Sequence, residues 1–172
     1  MLPGRLPGPL RRLTGIWAEE TDALYDDERN GIRTADGHTY SCSTLCDLIH
    51  AETAQVQAEY TDDFYAGMPA LTVNSFGSGC AWYIATRPDQ AFLDAFYAER
   101  LADAKIAAPV PGLPAGVQVA SREGEDGSYL FIMNFTRRET EVELPAGVNA
   151  LTGEPAGGKT TLKVNGVIIL KV

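Results

Sequence analysis

Basic side chains, cysteines and long apolar runs are all scarce in this sequence of 172 residues. Its 14 lysines and arginines stand against 23 acidic residues, which gives a formal net charge of -9. This balance argues against binding to nucleic acid or to an anionic membrane, because both need a clustered basic surface. No apolar run approaches the roughly 20 residues of a transmembrane helix. Prolines and an arginine interrupt residues 1–9 before the apolar core of a signal peptide could form.

The three cysteines are an odd number, and a chain of this length can fold without a disulfide framework. We therefore expect reduced thiols and a cytoplasmic location. Cys42 and Cys46 have the spacing C-x3-C, so a zinc site that also used Cys80 and the histidines is arithmetically possible. Structural zinc sites usually show two paired ligand spacings, and only one pair is present. The sequence favours structural thiols, with no metal and no cofactor.

A change in composition divides the chain. Residues 108–116 are rich in proline and glycine, which indicates a linker, and most of the acidic excess lies before them. We expect one domain over residues 1–107 and another over residues 117–172. The second should be an antiparallel β sandwich or open barrel of about six short strands, two of them separated by a turn at residues 145–147. Residues 165–166, Asn-Gly, predict a hairpin with a type I′ turn.

The first part has a mixed pattern. Residues 88–105 predict a helix, because apolar side chains recur along one face. Those side chains are Phe92, Leu93, Phe96, Tyr97 and Leu101. The other predicted elements are a helical turn at residues 9–13 ending at Gly15, a strand at 54–60 and a hairpin of strands 70–74 and 80–86. A doubly wound sheet would need several early parallel strands, and none is evident here. The first part is therefore expected to be incomplete.

Residues 153–160 satisfy the P-loop pattern literally. The glycines of a P-loop present backbone N–H groups to phosphate at the start of a helix. Only a short segment with a hairpin pattern follows Thr160, so no helix can begin there. We expect a glycine-rich turn between strands and no nucleotide site.

The remaining candidates have simpler structural explanations. Neighbouring acids are typical of solvated surfaces, since glycoside hydrolysis needs carboxylates that face each other across a sugar. The lone histidines have no serine, cysteine or aspartate partner at the spacing of a nucleophilic site. We expect the aromatic side chains to lie in the hydrophobic core and not to form a sugar-stacking platform. The residues concerned are Glu19, Glu20, Asp26, Asp27, Glu28, Asp62 and Asp63; His38 and His50; Phe64, Tyr65, Trp82 and Tyr83; and Tyr129, Phe131 and Phe135. We assign no catalytic, cofactor-binding or metal-ligating residue.

Several segments resemble glycoside hydrolase family 42, the prokaryotic β-galactosidases. They are residues 10–16 with 19–24, residues 63–72 running into 76–86, and, in the second part, residues 129–135 and 151–153. The segments before the linker resemble the later half of the family's trimerisation domain, whose fold is like that of class I glutamine amidotransferases. The segments after the linker are similar to the family's small C-terminal β domain. The resemblance therefore implies an α/β fold, a partial glutamine-amidotransferase-like domain, followed by an all-β antiparallel domain.

The family's two catalytic glutamates lie on an N-terminal (β/α)8 barrel that no part of this chain resembles, so no catalytic residue is carried over. The resemblance implies a truncated C-terminal piece, whether proteolytic, artificially shortened or from a split gene. Its role would be to assemble a homo-oligomer, a trimer in the family, and to support the missing barrel. The parent would hydrolyse terminal β-galactosides with retention in carbohydrate metabolism. The alternative is a stand-alone β-sandwich carbohydrate-binding module, which requires exposed aromatics on one β face.

We expect no β-galactosidase activity from this chain alone, because a barrel of about 250 residues cannot fit within it. Purified chain should release nitrophenol from a nitrophenyl β-galactoside no faster than a buffer blank. Activity that co-purifies with the chain and disappears in the double variant Glu19→Ala and Glu20→Ala would contradict this prediction.

Overall fold

The structure, a computed structural model, describes residues 6–172. Residues 1–5, which hold much of the segment expected to exclude a signal peptide, lie outside the described part. The chain divides into two compact units, Met1–Arg100 and Leu101–Val172, and each has its own hydrophobic core and antiparallel sheet. Among the described residues, no helix has the length and apolar character needed to cross a bilayer.

The first unit is built on a seven-stranded antiparallel sheet. A 3-10 turn (Gly8–Leu10) and helix α1 (Arg11–Thr14) precede it, and α1 ends at Gly15 in the left-handed conformation, with φ 67°. The strands are β1 (Ile16–Ala23), β2 (Asn30–Thr34), β3 (Thr39–Ala51), β4 (Gln55–Tyr60), β5 (Pro69–Phe76), β6 (Gly79–Ile84) and β7 (Thr86–Pro88). Their order is β1-β3-β2-β4-β5-β6, with β7 paired to β3. Helix α2 (Gln90–Asp103) follows the last strand.

The prediction of a glutamine-amidotransferase-like α/β domain is wrong. Parallel strands need crossover connections of a dozen or more residues, usually helices. In this unit all the strand pairs are antiparallel, and α1, the helix that precedes the sheet, has only 4 residues. Residues 16–51, in which no strand was predicted, form β1, β2 and β3. The first unit is therefore a β sheet with one substantial helix.

An irregularity in β3 explains why these strands were missed. The pairing of β3 with β7 shifts between Ser43 and Cys46, and Thr44 has a left-handed φ of 73°. Such a bulge breaks the alternation of buried and exposed side chains that marks a strand in the sequence. The buried residues Cys42, Cys46 and Leu48 share one face of β3 with Thr44 left exposed between them, and Ile49 departs from their alternation opposite the register shift between Ala18 and Glu20 of β1.

The prediction of the first helical turn and of the later elements of the first unit is confirmed. These elements are the turn before Gly15, strand β4, the β5–β6 hairpin and helix α2. Helix α2 starts where the Asp89 carboxylate accepts a hydrogen bond from the Phe92 N–H at 2.9 Å, as an N-cap does. Phe92 is buried, whereas Tyr97 and Leu101 at the far end of the predicted apolar face are exposed. The apolar face of α2 is therefore buried near the start of the helix and exposed toward its C-terminal end.

The second unit is a five-stranded antiparallel sheet, one strand fewer than the about six expected for a sandwich or open barrel. Its strands are β8 (Val117–Gly124), β9 (Gly127–Asn134), β10 (Thr140–Asn149), β11 (Pro155–Leu162) and β12 (Val167–Lys171), in the order β11-β10-β12-β9-β8. The turn expected at residues 145–147 is instead a bulge within β10, between Leu144 and Gly147. Two predicted strands are therefore one. Val110, from the expected linker, is buried in the core of this unit.

The prediction of a hairpin at residues 165–166 is also wrong. A turn is present, because the Gly166 N–H donates to the Lys163 carbonyl at 2.8 Å. Asn165 has a positive φ of 53°, but the strands on either side of the turn separate. Strand β11 pairs with β10, whereas β12 pairs with β9 and with the end of β10. The local signal found the turn, and the pairing was decided by more distant strands.

We expect Gly147→Ala to destabilise the second unit, because a Cβ at this bulge would lie 2.4 Å from the Lys171 carbonyl oxygen. Overpacking against the backbone lowers the free energy of unfolding by about 1–3 kcal/mol. For a unit of this size, each kcal/mol lowers Tm by about 4–8 °C. Thermal unfolding followed by circular dichroism measures the change. The control is Gly79→Ala, since a Cβ at that strand glycine meets no atom within 4 Å. Equal melting temperatures for the two variants would contradict the assignment of the bulge.

Candidate assembly surfaces

The acidic and histidine candidates lie in separate local contacts of the first unit. Glu19 Oε2 lies 2.8 Å from His50 Nε2, and the His50 ring stacks on Trp17 with centroids 4.1 Å apart. In the β2–β3 turn, Asp36 contacts His38 Nδ1 at 2.9 Å. The Thr34 hydroxyl, followed by His38, lowers the pKa of Asp36 to about 2. Both histidine contacts are at the surface, and each pairs an imidazole with a carboxylate.

The four aromatic residues expected as a cluster in the first unit lie in three separate places. Phe64 is exposed and packs edge-on against the buried Tyr65. Trp82 packs against Phe96, with the Arg100 guanidinium 4.3 Å from its ring centroid. Tyr83 instead donates a hydrogen bond to the Asp47 carboxylate. This arrangement provides no shared stacking platform among the four rings.

In the second unit, the expectation that Tyr129, Phe131 and Phe135 are core is wrong. Along β9 the buried positions are Leu130, Ile132 and Asn134, so Tyr129 and Phe131 lie on the opposite face and are half-buried. Phe135 is 61% exposed. These aromatic side chains therefore belong to the outer side of the sheet.

The P-loop pattern of residues 153–160 falls mostly on strand β11, and not on a turn as expected. Gly158 pairs with Leu144 and Lys159 with Glu143 in an antiparallel ladder. Lys159 Nζ lies 3.4 Å from Glu141 Oε1 on the neighbouring strand. Glycines in a ladder direct their N–H groups along the sheet, and the segment after β11 is a turn leading to β12. The geometry of a phosphate cradle at a helix start is not formed here.

Cys42 and Cys46 are buried free thiols in the core of the first unit, and Cys80 is an exposed free thiol. Cys42 and Cys46 lie on the same face of β3 and belong to one core cluster, where Cys46 Sγ lies 3.6 Å from Thr86 Oγ1. The hydrogen bond to Cys46, together with burial, raises the pKa of the Cys42 thiol. In residues 6–172, no group of three or more His, Cys, Asp or Glu side chains is placed so that it could hold a metal ion.

A polar network beside these thiols joins β1, β3, β4 and β6. The Asp47 carboxylate accepts hydrogen bonds from Tyr83 at 2.8 Å and from Thr21 at 2.6 Å. The Tyr60 hydroxyl donates to the Ala85 carbonyl at 2.7 Å. Burial raises the pKa of Tyr60 and of Tyr83, and the contact with Asp47 adds to the effect at Tyr83. Both phenols are therefore held neutral as structural donors.

The edges of the two sheets differ in charge. Unpaired strand edges can pair with another chain, and natural proteins protect them with charged residues and proline. The protected edge strands are β1 with Glu19, Glu20 and Asp22, β7 with Arg87 and Pro88, β8 with Arg122 and Glu123, and β11 with Pro155 and Lys159. Strand β6 has neither a charged residue nor a proline, and within residues 6–172 it pairs only with β5. By the residue types of its own strand, it is the least protected edge of the described sheets.

Comparison with known proteins matches both units to one enzyme family. Residues 1–107 match the β-galactosidase trimerisation domain, and residues 116–171 match the β-galactosidase C-terminal domain. The chain belongs to glycoside hydrolase family 42. The unprotected edge β6 therefore lies in the part of the chain that matches the trimerisation domain.

The relatives of this family-42 chain are β-galactosidases. BgaA of Planococcus sp. (strain 'SOS Orange') is 45% identical over 174 residues, and BglY of Alicyclobacillus acidocaldarius is 43% identical over 177. The crystal structure of β-galactosidase from Bacillus circulans sp. alkalophilus is similar with a TM-score of 0.88, at 40% identity over 99% of this chain. The chain spans about a quarter of these relatives, 26% of the length of each.

Sequence reasoning found the β5–β6 hairpin but missed the significance of its edge. A signal was present, because residues 64–86 contain no charged side chain in a chain that is 22% charged. Uncharged stretches are also typical of buried strands, however, and β5 is one, with Ala70, Leu71, Thr72 and Asn74 buried. Only the strand order distinguishes the interior strand β5 from the edge strand β6.

We expect Tyr83→Phe to destabilise the first unit at neutral pH, by about 1.5–3 kcal/mol for a hydrogen bond to a charged group. The folded state raises the pKa of Tyr83, so the stability due to its neutral form is complete below pH about 10 and is lost as pH rises further. The difference between wild type and variant should therefore shrink above that pH. Urea unfolding at several pH values measures it.

Tyr97→Phe is the matched control, because Tyr97 is 55% exposed. This variant should unfold like the wild type across the same pH range. A gap between wild type and Tyr83→Phe that stays constant from neutral to alkaline pH would contradict the role assigned to the Asp47–Tyr83 contact.

Proposed function

We propose that this chain is a non-catalytic assembly and accessory region of a β-galactosidase. The parent enzyme would hydrolyse terminal β-galactosides, with its acid/base and nucleophile supplied from outside residues 1–172. Both family matches and the 26% coverage of the relatives support this assignment. In this role the chain needs no cofactor or metal of its own. The free thiols of Cys42, Cys46 and Cys80 support a reducing compartment such as the cytoplasm.

The observation that carries the assembly role is the uncharged edge of β6. Its backbone N–H and C=O groups on the outer side can form a ladder with a strand of another subunit, and no charged side chain on β6 opposes such pairing. The opposite edge, β1, has three acidic residues, and the Ala18 N–H is already bonded to the Leu6 carbonyl at 2.7 Å. Association through β6 is therefore favoured over association through β1.

The stoichiometry depends on what β6 meets in the neighbouring subunit. Pairing of β6 with β6 is isologous and closes as a dimer, whereas a trimer requires β6 to meet a different surface of the next subunit. The domain description that matches residues 1–107 favours the trimer. Either arrangement makes the chain a homo-oligomer.

A lysine on the edge should weaken this assembly. We expect the chain at tens of micromolar to elute as an oligomer in size-exclusion chromatography with light scattering, well above the monomer mass of 18.5 kDa. Cys80→Lys places a charge at an exposed position of β6 and should shift the mass toward monomer. All samples contain a reducing agent, so that the exposed Cys80 thiol cannot crosslink the wild type.

Ser75→Lys is the matched control, because Ser75 is exposed and directly opposite Cys80, but lies on the interior strand β5. This variant should keep the wild-type mass. A monomeric wild type would contradict the assembly role, and equal masses for all three proteins would contradict the assignment to β6.

A further inference from the structure

The sheet of the second unit is apolar on both faces. One face forms the core with Leu130, Ile132 and Leu170. On the other face, Phe131 lies opposite Ile169, and Met133 lies opposite Val167. We call these four side chains the outer apolar face. In the described part of the chain, none of the four belongs to either core cluster.

The outer apolar face is partly exposed in this chain. Val167 is 47% exposed, and Phe131, Met133 and Ile169 are half-buried. A polar group borders it on the next row of the sheet, where Lys171 Nζ lies 2.9 Å from the Asp126 carboxylate and Tyr129 donates to the same carboxylate. An apolar centre with a satisfied polar border is the usual anatomy of an interface.

An antiparallel sheet with one solvated face normally alternates apolar and polar side chains. Strand β9 instead presents Leu130 and Ile132 to one side and Phe131 and Met133 to the other. Such a run is typical of a strand that is covered on both sides. The outer apolar face, which belongs to neither core cluster of the described residues, is therefore suited to a covering partner.

We propose that the outer apolar face binds the part of the β-galactosidase polypeptide that this chain does not contain. This inference rests on the proposed function. The chain accounts for 26% of the length of its relatives, so about three-quarters of such a polypeptide is available to cover the face. A second copy of this chain is a weaker candidate, because the trimerisation match ends at residue 107 and the unprotected edge β6 lies within it.

Covering this face would bury apolar side chains from two adjacent strands against another domain of the same polypeptide. Linked domains meet at high effective concentration, so a modest apolar patch suffices for a stable contact. In the complete enzyme, side chains of the outer apolar face should be shielded from reagents in solution. Side chains elsewhere on the second unit should stay accessible.

The chain offers a matched pair of positions for this test. Val167 is on the face and 47% exposed, whereas Val164 is in the β11–β12 turn and 46% exposed. Each is changed to cysteine, Val167→Cys or Val164→Cys, in a Cys80→Ser background that removes the exposed native thiol. Both variants are prepared as the 172-residue chain and as a full-length chimera, in which this chain replaces the matching segment of Planococcus BgaA.

The measurement is the rate of alkylation by iodoacetamide at the introduced cysteine, read by mass spectrometry of the peptide that contains it. In the 172-residue chain we expect similar rates at both positions. In the active chimera we expect the cysteine at 167 to react at least tenfold more slowly than the one at 164. Val167→Asp should also shorten the thermal half-life of chimera activity, whereas Val164→Asp should leave it unchanged.

Three results would overturn the proposal. Equal alkylation rates at both positions in an active chimera would mean that the face stays open, while leaving the proposed function intact. Slow alkylation at 167 already in the 172-residue chain, relieved by dilution, would identify a second copy as the occupant. A chimera that keeps Val164 and Val167 and is nevertheless inactive would contradict the proposed function itself. It would also contradict the proposed occupant of the face, which rests on that function.

Discussion

The first unit depends on β3, a strand of 13 residues that pairs with β1, β2 and β7. The pairing of β3 with β7 shifts between Ser43 and Cys46, and such a bulge bends a strand locally. Beyond the bulge, the Asp47 N–H donates to the Ala85 carbonyl, and the Asp47 carboxylate holds Tyr83. The buried thiols of Cys42 and Cys46, the Asp47–Tyr83 contact and the pairing with β7 therefore all involve this one strand.

Charged side chains along the edge strands influence which edges can pair with a strand of another chain. Four edge strands have charged residues or proline, which oppose edge-to-edge pairing, and β6 has neither. The net charge of -9 keeps molecules apart at long range, but this repulsion is screened beyond about 8–10 Å in physiological salt. Contact can therefore be decided by the local character of an edge, and the first unit has one edge suited to it.

The second unit presents a different kind of surface. Its core is on one side of a five-stranded sheet, and Phe131, Met133, Val167 and Ile169 leave the other side apolar. A small five-stranded unit has limited apolar burial to offset its conformational entropy. A second covering layer would add to its stability as well as fix its position. The two units thus offer two distinct contacts, a backbone edge and an apolar face.

The amino-acid sequence was sufficient for the family, the absence of a barrel from these residues and the elements with regular local signals. The capped helix α2, the β5–β6 hairpin and the Gly15 stop are encoded by neighbouring residues, through N-capping, alternation and positive φ. Resemblance suggested an α/β domain, and the antiparallel pairing of β1, β2 and β3 overturned it. The folded structure was needed to show that residues 145–147 form a bulge and that β12 pairs with β9. It was also needed to place β6 at an edge and Phe131 outside the core. Pairing partners and burial depend on residues far along the chain, whereas turns and caps depend on residues within a few positions.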